Sequence, residues 1–197
     1  NYMTSHTAVF DSILNANPYL KVTMKDVFIP KMRYSYIFNS PSRYRHPIWW
    51  QTTLSEASNL LSLAYMAAGK KWNEKDKMMF KNPYAQFFKI ETEFRKTWQL
   101  STYDQLVAHA SAGAIWAYGN SSAAPWSEQF YVGGANSIRA FTVRSIGPGS
   151  YQPHQNTTSY LDQTGDVKLL CNLEYRPRLF GNLYGALFLD GGNVWTM

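Results

Sequence analysis

The sequence predicts an all-β chain whose antiparallel strands cross a membrane as part of a transmembrane β-barrel. Three observations carry this. Six segments alternate apolar and polar residues with a period of two, the mark of antiparallel strands with one apolar and one polar face. Several reach the roughly 9 to 11 residues that a tilted strand needs to cross a bilayer, whereas soluble strands average about 5 to 6. The connections alternate between short and long, as the periplasmic turns and extracellular loops of outer-membrane barrels do.

The segments follow in order. At 31–39, Met32, Tyr34, Tyr36 and Phe38 oppose Lys31, Arg33, Ser35 and Asn39, with Ile37 the exception. At 48–55, Ile48, Trp50, Thr52 and Leu54 oppose Trp49, Gln51, Thr53 and Ser55. At 86–100, Phe88, Ile90, Phe94, Trp98 and Leu100 oppose a charged face, with Thr92 and Lys96 interrupting the apolar one. At 105–118, a run from Leu106 through four alanines to Trp116 and Tyr118 opposes a mixed face that holds His109. At 167–176, Val167, Leu169, Cys171, Leu173 and Tyr175 oppose Lys168, Leu170, Asn172, Glu174 and Arg176. At 183–190, Leu183, Leu187 and Leu189 oppose Tyr184, Phe188 and Asp190. The short links are 40–46, 101–104 and 177–182. The long ones are about 56–84, with helical character at 60–71, and 119–165.

Aromatics cluster beside the short links: Phe38, Tyr44, Trp49 and Trp50, then Trp98 and Tyr103, then Tyr175, Phe180 and Tyr184. Rings with an apolar body and a polar tip settle at a membrane interface. A soluble sandwich or lipocalin-like barrel with an aromatic core is the rival reading. The long loops weigh against it, because connections above about 15 residues are uncommon in compact soluble domains.

Composition agrees. The 197 residues include 14 Tyr, 11 Phe and 7 Trp, and only 16% are charged, against about 25% in soluble domains. Mean hydropathy is −0.35, and no apolar run reaches the roughly 18 residues of a spanning helix. The net charge of +6 is scattered, and its densest stretches, 43–45 and 70–77, read as solvated loop faces with no nucleic-acid role. The single Cys171 excludes an internal disulfide framework and sits on the lipid face. His6, His46, His109 and His154 show no metal spacing, His109 reading as a lumen residue, and no nucleophile elbow, Walker loop or dinucleotide fingerprint is present, so no cofactor or metal is expected. Glu91 and Glu93, beside Lys89 and Arg95, read as a lumen charge ladder. Neither end looks like a natural terminus, and the chain reads as an internal fragment.

The segment Glu128-Gln129-Phe130-Tyr131-Val132-Gly133-Gly134-Ala135-Asn136-Ser137-Ile138-Arg139-Ala140-Phe141 resembles the sixth extracellular loop of the outer-membrane insertase superfamily, BamA, TamA and relatives. Gly165-Asp166-Val167-Lys168 with Asn172-Leu173-Glu174-Tyr175-Arg176 resembles the strand after that loop. Gly185 through Trp195, containing Asp190-Gly191-Gly192-Asn193, resembles the next. The ordered set covers about a third of the chain. One departure stands out: Ala140 occupies the place where the family core usually has Gly. If the position needs a positive φ, Ala is strained there; if Gly serves only close packing, a methyl fits.

The resemblance implies strands eight to thirteen of a sixteen-stranded barrel, with 1–197 one partial barrel domain in a bacterial outer membrane. It implies a loop whose motif residues Gly133, Gly134, Ile138, Arg139, Ala140 and Phe141 fold back into the lumen, where Arg139 meets Glu174 and Asp190. Gly133 and Gly134 read as a tight turn near the loop root. The implied function is to fold, insert or translocate other proteins at the outer membrane without catalysing a reaction. The implied partners are outer-membrane lipids, unfolded or nascent outer-membrane proteins and accessory assembly proteins. A two-partner-type secretion transporter and a passive porin-like channel are the alternatives. Six strands alone leave two unpaired edges, which a membrane does not tolerate, so the fragment is not expected to insert by itself.

Overall fold

A strand whose two faces differ in polarity must pair on both edges and place each face in its own solvent. The computed structural model describes residues 27–41, 43–75, 77–151 and 163–197; His6, His154 and part of the long second loop lie outside them. The elements are β1 (Lys31–Asn39), β2 (Ile48–Ala57), α1 (Asn59–Ala67), β3 (Met78–Met79), β4 (Asn82–Pro83), β5 (Phe87–Gln99), β6 (Gln105–Ala117), a 3₁₀ turn (Trp126–Glu128), β7 (Val167–Arg176), β8 (Arg178–Phe180), β9 (Leu183–Tyr184) and β10 (Leu187–Trp195). Among the described residues, six strands form one antiparallel sheet in the order β1-β2-β5-β6-β7-β10, each beside its neighbour in sequence.

Register converts the alternation into rows. On one face Phe38, Trp50, Phe94, Ala110, Cys171 and Gly191 lie side by side, as do Tyr34, Leu54, Ile90, Ala114, Val167 and Trp195, with the row Tyr36, Thr52, Thr92, Ala112, Leu169 and Asn193 between them. Large apolar groups stand exposed on this outward face, Tyr34 at 66% and Leu189 at 73%. Lys96 interrupts it near the turn end, where its Nζ lies 5.1 Å from the Trp98 ring; the stem stays in the apolar layer while the charge reaches the interface. On the other face run Asn39, Trp49, Arg95, His109, Asn172 and Asp190, and Ser35, Thr53, Glu91, Gly113, Lys168 and Val194, with the row Ile37, Gln51, Glu93, Ser111, Leu170 and Gly192 between them.

The buried core lies on this inner face. Phe87, Ile115, Leu170 and Val194 from the strands meet Phe130, Val132 and Ile138 from the loop between β6 and β7. The sheet is therefore packed on the inside by its own long loop, while large apolar side chains stand exposed on its outside.

The last strand departs from expectation. It spans Leu187–Trp195, while Leu183 and Tyr184 belong to a small hairpin with β8. Gly181, at φ +53, reverses the chain there, and Gly185 donates its N–H to Pro177 O. The glycines at 191 and 192 do not end the strand. A Cβ on Gly192 would lie 2.6 Å from Leu169 O, so the close approach of β7 requires a glycine. The helix also stops earlier than 71: Gly69, at φ +88, donates to Met66 O and closes it.

The outward face predicts an asymmetric response to charge. Ala110→Arg, mid-strand and outward, costs about 2 to 4 kcal/mol in a bilayer, whereas Gln51→Arg on the inner face costs under about 1 kcal/mol. Urea unfolding of the full-length protein in lipid vesicles measures both.

Candidate functional site

The loop between β6 and β7 is built from its own backbone before it meets the sheet. Phe130 and Gly165 exchange backbone hydrogen bonds at 2.9 Å, Arg144 N–H donates to Val132 O, and Gly134 N–H donates to Phe141 O. This narrow excursion places 137–140 at its tip. Gly133 and Gly134 sit at φ +100 and +92. A Cβ on Gly133 would lie 2.2 Å from Thr142 O, so only glycine fits. The Gly-Gly pair thus shapes the excursion itself.

Two anchors hold the loop base. The ring of Phe130 covers Gly113 so closely that a Cβ there would stand 2.5 Å from the ring. Lys89 and Lys168 flank that ring with their ammonium groups 4.4 and 5.3 Å from its centroid. Lys168 also reaches across Gly113 to Glu91 at 2.8 Å. The second anchor is Arg144, whose guanidinium lies 4.2 Å from the Trp126 ring and 4.5 Å from the Tyr131 ring. Neither Lys168 nor Arg144 stands out in the sequence, because each acts only through partners the fold brings to it.

At the tip, Arg139 joins two strands. Its Nε and Nη2 donate to the two oxygens of Asp190 on β10, both at 2.7 Å, and its backbone N–H donates to Asp190 Oδ2 at 3.0 Å. Its Nη1 donates to Glu174 Oε2 on β7 at 2.5 Å. The guanidinium also stacks 3.7 Å from the Phe188 ring centroid. Asp190 Oδ1 takes a further bond from Asn172 Nδ2 at 2.9 Å, so all four acceptor positions of this carboxylate are filled. Hydrogen bonds donated to Asp190 first, and to Glu174, raise the pKa of Arg139 above its ordinary value against the opposing effect of burial. Asp190 is the buried member, with 4% of its side chain exposed, against 25% for Arg139.

Asn172 extends the clamp along the inner face. Its Nδ2 also donates to Ser137 O at 2.7 Å, tying the loop tip to β7. Its Oδ1 lies 2.8 Å from His109 Nδ1, whose Nε2 lies 2.9 Å from Glu93. Arg95 stands 3.6 Å from the same Glu93 oxygen, and Arg176 binds Glu174 at 2.6 Å. One polar chain thus runs from β5 to β10 through the loop tip. Asn172 and His109 share a row with Asp190; the sequence alternation puts all three on the polar face but does not give that register. Of the ladder expected around Glu91 and Glu93, Glu91 pairs with Lys168 and not with Lys89, which donates to Glu128 O.

The remaining motif residues separate by role. Ile138 is buried in the core. Phe141 is 54% exposed and contributes its carbonyl, not its ring. Ala140 sits at φ +69, which decides between the two accounts of its position: it occupies left-handed backbone that glycine adopts freely and alanine does not. Among the described residues no group of three or more His, Cys, Asp or Glu is placed to hold a metal.

A family model described as the Omp85 superfamily domain matches residues 70–197. The chain is 31% identical over 114 residues to the sorting and assembly machinery component 50 homolog A of Xenopus laevis, covering 56% of this chain and 24% of that protein. It is 35% identical over 74 residues to the sorting and assembly machinery component 50 homolog of Homo sapiens, covering 36% of this chain and 15% of that protein. The chain spans a quarter or less of the length of these relatives.

The geometry ranks the substitutions. Asp190→Asn sets an amide against donors already in place and costs about 3 kcal/mol; Glu174→Gln, one contact of the guanidinium, costs about 1 kcal/mol. Equilibrium unfolding of the reconstituted protein tests the order. By the same measurement Ala140→Gly stabilises by about 1 kcal/mol, relieving left-handed strain, while Gly133→Ala destabilises.

Proposed function

The chain belongs to the Omp85 superfamily, and from that premise we propose that it forms part of an outer-membrane assembly factor that folds and inserts other barrel proteins. The superfamily is one of membrane-protein insertion and assembly factors built on outer-membrane β-barrels. In the finer reading, β1, β2, β5, β6, β7 and β10 are strands eight to thirteen of a sixteen-stranded barrel like those of BamA and TamA. Its partners are nascent outer-membrane proteins, accessory assembly proteins and outer-membrane lipids. The protein works by binding and by its own shape, with no covalent step.

The observation that carries this reading is the Arg139 clamp. A guanidinium at the tip of a long loop binds carboxylates on two adjacent strands from inside. That fixes the loop as a brace across β7 and β10 on the inner face, leaving strands elsewhere in the barrel free to open toward a client. A porin constriction has no need for a brace that spans two strands. The names of the relatives, sorting and assembly machinery components, support the same function.

The sequence reading set the protein in a bacterial outer membrane. The relatives found here come from a frog and a human, whose cells carry outer membranes on organelles. They support a mitochondrial outer membrane as the setting, and subcellular fractionation of the source cells decides between the two.

The test uses the full-length protein in membranes with Arg139→Ala, Arg139→Glu, and Arg139→Glu combined with Asp190→Arg. The amount of other barrel proteins reaching the outer membrane is measured beside each variant's own heat-modifiable folding. Assembly falls in the single variants and partly recovers in the charge-reversed pair. Unchanged assembly by normally folded single variants overturns the reading and brings the exporter and porin alternatives forward.

A further inference from the structure

α1 is amphipathic in the reverse of the usual sense. Its buried residue is polar: Ser62 Oγ lies 2.9 Å from Tyr84 Oη and donates to Gln86 Oε1 at 2.8 Å. Asn59 Oδ1 accepts from Gln86 Nε2 and from Tyr118 Oη at 2.8 Å. On the other side Leu60 and Leu63 are 63 and 51% exposed, while Met66, one turn beyond Ser62 at the end of the helix, is 46% exposed. A helix on the surface of a water-soluble domain turns its apolar stripe to the core; this one turns it away.

The sheet register says which way that stripe faces. Gln86 and Tyr118 continue the β5–β6 ladder, Tyr118 N–H donating to Gln86 O. They stand two residues beyond Phe88 and Trp116, which pair on the outward face and stack at 6.2 Å. α1 therefore lies against the outward side of the sheet at its loop end, one row past the exposed aromatic layer. Its apolar residues extend that layer.

Charge follows in the chain. Residues 70–81 carry five lysines against Glu74 and Asp76. Lys77 turns inward and fastens the segment, donating to the carbonyls of Lys71 and Trp72. Lys70, Lys71, Lys75 and Lys81 are exposed, Lys70 sharing its charge with Glu74 at 2.8 Å. The segment moves with the helix, since Tyr65 Oη donates to Met78 O and its ring stacks on Tyr84.

We propose that α1 is an interfacial membrane helix, seated in the loop-side leaflet with Leu60 and Leu63 among acyl chains and the lysines after it on anionic lipid headgroups. Apolar area on one side of a helix and basic residues beside it are the two ingredients of such binding. Nine residues are too few to hold a free helix on a membrane, but the strands at either end keep α1 at the surface, so little association entropy remains to be lost. The inference rests on the membrane-barrel reading.

Spin labels test both separately. The full-length protein carries Cys171→Ser, with single cysteines at Leu63→Cys or Ala110→Cys, in nanodiscs of phosphatidylcholine alone or mixed with phosphatidylglycerol. Accessibility to oxygen and to a water-soluble nickel chelate gives depth. The expected result is a lipid-like oxygen-to-nickel ratio at both positions, rising at 63 when phosphatidylglycerol is added. That rise disappears when Lys70, Lys71, Lys75 and Lys81 are all changed to Gln. A water-like ratio at 63 with a lipid-like one at 110 overturns the helix assignment and leaves the barrel standing. Water-like ratios at both overturn the barrel reading with it. Shielding of position 63 from both reagents places a protein there and overturns the lipid assignment, and indifference to phosphatidylglycerol overturns the anionic headgroups.

Discussion

A single carboxylate, Asp190, organises the inner side of this protein. It receives two bonds from the Arg139 side chain, one from the Arg139 backbone and one from Asn172. A buried charge with so many donors costs little where it is and a great deal if any partner leaves. The loop tip, β7 and β10 are therefore fixed relative to one another through four oxygen lone pairs. The rest of the loop follows: Ile138 enters the core beside the clamp, and Ser137 O takes the second proton of the Asn172 amide.

The clamp also explains why the inner face carries so much polarity beside a hydrophobic core. The core is where the loop base presses Phe130, Val132 and Ile138 onto Ile115, Leu170 and Val194. Around it, paired charges such as Lys168–Glu91 and the Glu93–His109–Asn172 chain hold the polar groups of the inner face. Gly113 is the hinge of this arrangement. Its missing side chain leaves room for the Phe130 ring above and for the Lys168 stem to cross to Glu91.

The strands were legible in the sequence because lipid and water act on alternate residues, so period two survives even where Ile37, Thr92 or Lys96 breaks the rule. The side on which Glu174 and Asp190 lie follows from that parity. What joins them does not. His109, Asn172 and Asp190 are far apart in the chain and become neighbours only through register. The start of β10 is not legible in the sequence, because Leu183, Leu187 and Leu189 keep the same parity across the β8–β9 hairpin, and parity carries no information about a turn between them. In 60–67 the leucines announce a helix but not which side is buried; the decisive residue is Ser62, whose partners Tyr84 and Gln86 come from the segment just before β5.

The loop's internal pairing has a consequence for how the chain zips. β5 meets β6 across a handful of residues, but β6 ends at Ala117 and β7 begins at Val167. Closing a loop that is longer by roughly three doublings costs about 2 kcal/mol more in chain entropy. The bonds between Phe130 and Gly165 divide that closure, because once they form only residues 118–129 and 166 remain between the two strands. The loop between β6 and β7 thus works as a splint, shortening the longer of the two long jumps in the meander, the other being 58–86 between β2 and β5.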